Sequence, residues 1–131
     1  MADAYLMAAE AILRGANAPR STALDYVNEI RERAYMSDKY AQAGIRSDVS
    51  GKINESELNL DFILAERQRE FASELVRRTD LIRFGKFTKN NNWDWKNGER
   101  TGTDVDDKYL LFPIPESELV NNPTLKQNEG Y

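Results

Sequence analysis

The chain has 131 residues, 40% of them hydrophobic, which suits one domain of moderate size with an adequate core. Its 18 Lys plus Arg against 22 Asp plus Glu leave a net charge of −4, with no basic run, so nothing draws it toward nucleic acid. It contains no Cys and no His, which excludes disulfides, thiolate or imidazole metal sites, thiol nucleophiles and Ser-His-Asp catalysis within these residues.

Residues 5–9 form the longest apolar run near the start, too short for a signal peptide or a membrane span, and no basic region precedes them. The helical pattern begins directly after Asp3, with no lead-in, and reads as a piece of something longer. Residues 4–14 are apolar on nearly all sides, as in a helix buried between neighbours. Gly15 suits its stop, and Pro19 and Ser21 suit the start of a second helix. There Leu24, Val27, Ile30 and Ala34 recur at spacings of three and four. The pair over 1–34 reads as a helical hairpin of tetratricopeptide-like length. A single such unit leaves an apolar face uncovered, so the piece is expected to self-associate.

Residues 35–56 read as irregular. A long third helix starts near Ser56 or Asn59, both plausible caps, and is expected to reach Thr79. Leu60, Leu64, Phe71 and Leu75 would share its apolar face, and Phe84-Gly85 marks the stop that follows. Residues 88–108 are polar and turn-rich, with the run Asn90-Asn91-Asn92 and the indoles of Trp93 and Trp95. Tyr109-Leu110-Leu111-Phe112 reads as extended and is cut by Pro113 and Pro115. A short helical turn is expected over 116–120, and the rest of the tail is irregular. The fold class is therefore mainly α, with a helical hairpin, a long third helix, an extended tail and little or no sheet.

The third helix is dense in charge. Glu66, Glu70 and Glu74 recur every four residues, and like charges at that spacing repel unless cations sit between them. Arg67, Arg69, Arg77 and Arg78 supply cations, as do Arg31 and Arg33 of the second helix. An architectural ion-pair network over Arg31, Arg33, Glu66, Arg67, Glu70, Glu74, Arg77, Asp80 and Arg83 is the stronger reading. The competing one, a carboxylate pair for glycoside hydrolysis, needs two acids flanking a cleft, generally from different elements. Asp104, Asp106 and Asp107 form an acidic turn that lacks the glycine and distant glutamate of a helix-loop-helix calcium site, so no metal is expected. Trp93 and Trp95 alternate in an Asn-rich loop and can stack on sugar faces, since an indole joins apolar area to a hydrogen-bond donor. Against this stands the plainer reading that one indole pins the loop to the core while the other is partly exposed.

Four pieces, in order, resemble the C-terminal part of the SusD/RagB family. They are Tyr5-Leu6-Met7-Ala8-Ala9-Glu10-Ala11, then Val27-Asn28-Glu29-Ile30-Arg31-Glu32-Arg33-Ala34. Next comes the signature helix carrying Glu66-Arg67, Glu70-Phe71, Glu74, Arg77, Asp80-Leu81, Arg83 and Phe84-Gly85. The last is the tail with Phe112-Pro113-Ile114-Pro115, Glu118, Asn122-Pro123, Leu125 and Gln127-Asn128-Glu129-Gly130-Tyr131. Three positions depart from the family pattern. Leu75 stands where members commonly have Gly, Arg78 where an aromatic is usual, and Glu129 where Pro precedes Gly130.

The resemblance implies that residues 1–131 are the C-terminal portion of such a domain, with the hairpin over 1–34, the signature helix over 56–85 and the loop and tail over 88–131. It implies a cell-surface glycan-binding protein, lipidated on an N-terminal Cys outside these residues, at the extracellular face of the outer membrane. Its expected partners are a SusC-like TonB-dependent transporter and an oligosaccharide or polysaccharide, with no enzyme activity, no catalytic residue and no cofactor. The matched residues look architectural, so no glycan contact is carried over by motif, and Trp93 and Trp95 are candidates on their own chemistry. The alternative is a tetratricopeptide-like protein-interaction module without sugar binding.

Overall fold

The computed structural model describes residues 1–35 and 51–131, which form two units, Met1–Leu75 and Val76–Tyr131. The described residues are mainly helical and contain no strand. Much of the stretch 35–56, read as irregular, falls outside the described residues.

In the first unit, α1 (Ala2–Leu13) ends at Arg14, and Gly15 follows at φ +107, a backbone conformation that only glycine adopts without strain. Helix α2 (Arg20–Tyr35) returns along α1, and α3 (Leu60–Glu70) also packs against α1. The core takes Leu6 and Ala9 from α1, Ala23, Val27 and Ile30 from α2, and Ile63 and Leu64 from α3. Ile53 and Leu58, from the segment leading into α3, complete it. Each large aliphatic side chain so buried contributes about 1.5–3 kcal/mol. Asn28 fastens that segment to α2. Its Nδ2 donates to the Ile53 carbonyl at 3.1 Å, and its Oδ1 accepts the Ile53 N–H at 2.8 Å. Asn59 caps α3, its side chain accepting the Phe62 N–H at 2.8 Å.

The third helix is shorter than its pattern predicts. It stops at Glu70 instead of continuing to Thr79, because Ser73 and Leu75 take φ +73 and +62. A helix needs φ near −63°, and two left-handed residues within one turn forbid it. Leu75, expected on the apolar face, is 93% exposed. The position where relatives of this pattern carry Gly is thus one where the backbone asks for Gly.

In the second unit, α4 (Arg77–Arg83) closes with Gly85 at φ +66. Two 3₁₀ turns follow, Lys96–Gly98 and Asp107–Leu110, then α5 (Glu116–Asn121). Tyr109 and Leu110 therefore lie in a turn and not in the extended run expected of them. The Asp106 side chain caps that turn by accepting the Lys108 N–H at 2.8 Å, and extended backbone resumes at Leu111. Among the described residues of this unit, Leu81 is the buried apolar side chain, while Asp80, Thr88 and Lys96 are buried polar ones.

Polar side chains hold the tail where apolar burial is scarce. The Gln127 amide receives the Ile114 N–H at 2.8 Å and donates to the Ile114 carbonyl at 2.9 Å, acting as a strand neighbour for the segment between the two prolines. Asn128 donates to the Phe112 carbonyl, and the Tyr131 hydroxyl donates to the carbonyl of Leu111.

Candidate functional site

The charged residues of the first unit separate into linked pairs. Arg31 Nη1 donates to Glu66 Oε2 at 2.9 Å, and Arg69 Nε reaches the same oxygen at 2.8 Å. Arg33 meets Glu70 at 2.5 Å, and Arg67 meets Asp3 at 2.7 Å. The flat Arg31 and Arg69 guanidiniums also lie over the Phe62 ring, at 5.5 and 5.4 Å. Glu66 and Glu70 thus face arginines and not each other across a cleft. Glu74 lies beyond the end of α3 and is exposed, so it does not share their face.

In the second unit, buried Asp80 pairs with Arg83 at 3.0 Å. Burial pushes the Arg77 guanidinium below its ordinary value, and the Asp80 charge opposes that shift. The acidic turn is used internally. Asp107 accepts from Thr88 Oγ1 at 2.7 Å and from Lys89 Nζ at 2.5 Å. These two hydrogen bonds hold the Asp107 carboxyl below its usual range, and its bond to Asp107 raises Lys89. No group of three or more potential metal ligands is present among the described residues.

The loop carrying Trp93 and Trp95 is built around a lysine. Lys96 is 3% exposed, and its ammonium donates to the carbonyls of Thr88 and Asn91 at 3.0 Å each and to Asn92 Oδ1 at 3.3 Å. Three acceptors match the three donors of an ammonium, which is what lets a charge be buried here. Asp104 Oδ1 adds a charge at 3.9 Å. Lys96 pins the loop from within, and the two indoles differ: Trp93 is 41% exposed with its ring 4.9 Å from the Lys96 ammonium, while Trp95 is 68% exposed. Sequence reasoning missed Lys96 because two of its three acceptors are backbone carbonyls, which leave no mark in the residue pattern. Gly102 closes the loop at φ +71, where an added Cβ would stand 2.3 Å from the Trp93 carbonyl oxygen.

Around these indoles lies a cleft of about 450 Å³, lined by Phe87, Val105, Tyr109, Leu111, Phe112 and Tyr131 as well as Trp93 and Trp95. Arg78, Lys96 and Asn97 complete the wall. The Arg78 guanidinium lies 5.0 Å from the Phe87 ring and 4.3 Å from the Phe112 ring, and Nη2 donates to the carbonyl of Tyr109 at 2.7 Å. A flat cation thus does the stacking of an aromatic at the position where the signature pattern usually has one.

These features define a helical scaffold bearing an aromatic cleft with a polar rim. The chain belongs to the SusD family, whose model matches residues 1–131. It is 41% identical over 132 residues to the starch-binding protein SusD of Bacteroides thetaiotaomicron, a match covering all of this chain and 20% of that relative. Two SusD-like proteins of Formosa agariphila are 31% and 35% identical, over 147 and 133 residues. These matches cover 100% and 99% of this chain, and 24% and 25% of those relatives. The chain therefore spans about a fifth to a quarter of the length of the curated relatives it matches.

Proposed function

We propose that the chain is the scaffold part of a cell-surface glycan-binding lipoprotein that delivers oligosaccharide to a SusC-like, TonB-dependent outer-membrane transporter. The observation that carries this reading is the match over the whole chain to the SusD family, together with 41% identity to a relative named for binding starch. The role is binding and not catalysis. Glu66 and Glu70, the acids a hydrolase would need, are engaged by arginines. No helix among the described residues is long and apolar enough to cross a membrane.

The test is made on the full-length protein that carries this chain. Calorimetry with maltoheptaose, cellohexaose and mannohexaose should show saturable binding to at least one of them. Purification from detergent-solubilised outer membranes should bring a TonB-dependent barrel along in near-equal amount. Absence of both binding and barrel would defeat the proposal, and a soluble partner in place of the barrel would favour a protein-interaction module.

A further inference from the structure

We propose that the aromatic cleft of the second unit is a binding site for uncharged sugar, with Trp95 as its stacking platform. The inference rests on the glycan-binding reading for its choice of ligand, and on the geometry of residues 76–131 for its place. Trp95 is the informative residue. It holds φ +67, a left-handed conformation that a bulky aromatic adopts only at a cost, yet it stays 68% exposed. Neither local preference nor core packing accounts for an indole that is both strained and exposed. Such strain persists when surrounding bonds impose it. Here the Trp95 N–H donates to the Arg100 carbonyl at 3.3 Å, and the Trp95 carbonyl accepts the Gly98 N–H at 3.0 Å. Buried Lys96, the next residue, anchors the turn from below.

The chemistry of the cleft selects the ligand class. Both cations in its wall hydrogen-bond within the protein, Lys96 through every donor and Arg78 through one nitrogen. The three donors of the Lys96 ammonium go to Thr88, Asn91 and Asn92. Arg78 is stacked between Phe87 and Phe112, with Nη2 donating to the carbonyls of Tyr109 and Leu110. No Asp or Glu side chain lines the cleft. An amino sugar would find no side-chain counter-charge there, and an acidic one would meet only Arg78, whose Nη2 and ring contacts are already made within the protein. Besides the other nitrogens of Arg78, the cleft offers ring faces and three donors, the indole N–H groups of Trp93 and Trp95 and the Tyr109 hydroxyl. None of the three makes a hydrogen bond among the described residues. Apolar faces edged by donors match a pyranose, which presents C–H groups on its face and hydroxyls around its edge. A cleft of about 450 Å³ falls within the range of small-ligand sites, roughly 300–1,000 Å³.

The test uses the full-length protein labelled with 5-fluorotryptophan, with ¹⁹F resonances assigned through Trp93→Phe and Trp95→Phe. The Trp95 resonance should be broadened by a soluble gadolinium chelate. It should move saturably with whichever neutral oligosaccharide of the panel above binds and stay still with an oligogalacturonate. Trp95→Ala, with an unchanged circular dichroism spectrum, should weaken the site's affinity about tenfold, the loss expected when one good stacking contact is removed. A Trp95 resonance that the chelate cannot reach would mean that other parts of the full-length protein cover the cleft, and it would overturn the proposal. Calorimetric binding of the neutral glycan with a motionless Trp95 would overturn the cleft while leaving the glycan-uptake reading intact. Absence of any glycan binding would remove both, and a response to the acidic oligomer alone would overturn the ligand class.

Discussion

Arg31 Nη1 and Glu66 Oε2 lie 2.9 Å apart, with side chains only 15% and 7% exposed, so an ion pair joins α2 to α3 away from most of the solvent. The same arginine donates through Nε to the Gly51 carbonyl, and Glu66 also receives Arg69. Both charges are solvated by protein in place of water. Such a pair is weak evidence for net stability, but removing one partner leaves the other charge buried and uncompensated. Glu66→Gln is therefore expected to destabilise the first unit by about 3 kcal/mol. Urea denaturation followed by far-ultraviolet circular dichroism checks this. A double-mutant cycle with Arg31→Met should recover part of the loss.

Leu75→Gly is expected to stabilise the chain by about 1 kcal/mol, against the usual sense of a Gly substitution. Leu75 holds φ +62 and is 93% exposed, so the change relieves backbone strain and forfeits no packing. The gain outweighs the extra freedom that Gly gives the unfolded chain only if the left-handed conformation is populated in solution. A rise in the denaturation midpoint at unchanged slope is the expected result, and a fall would contradict the left-handed geometry.

Gln127→Glu changes one atom of the amide that brackets Ile114. The oxygen that accepts the Ile114 N–H survives, while the donor to the Ile114 carbonyl is replaced by a carboxylate oxygen facing it. The tail should loosen by about 1–2 kcal/mol, measured as faster hydrogen exchange at Ile114 and Asn128. Gln127→Ala should have an effect in the same direction.

The contact of Asp107 with Lys89 and Thr88 sets an acid limit on the loop. The hydrogen bonds from Lys89 and Thr88 place the folded-state value of Asp107 below the ordinary 3.8. A depressed carboxyl contributes stability above its unfolded-state value and loses it as the pH falls through its folded-state value. Lys89 is raised, so its contribution is present below its ordinary 10.5 and is lost as the pH rises through its folded-state value, above that figure. Tryptophan emission should therefore be flat near neutrality and shift to longer wavelength below about pH 4 as the loop opens. Asp107→Asn should remove that acid step, and an unchanged titration in the variant would contradict the assignment.

The spacing of Leu24, Val27 and Ile30 made the second helix and its buried face legible, because a 3.6-residue period needs no tertiary information. Asn59 as a cap and Gly15 as a stop were legible for the same reason: both act on the backbone next to them. An excess of Glu on one helix face, with Arg available on its neighbour, pointed to ion pairs between elements, and four ordered motifs pointed to the family. The break after Glu70 was hidden because Ser73, Glu74 and Leu75 carry no Gly or Pro to announce it. Only the folded chain imposes positive φ on a serine and a leucine. Lys96 was hidden because its acceptors are mostly carbonyls, which every residue carries, and only folding gathers three of them around one ammonium. The cleft was decided by tertiary structure alone. Arg78, Trp95 and Phe112 are remote in sequence, and their shared wall exists because the tail returns past α4, held by side chains whose hydrogen bonds carry no periodic signature.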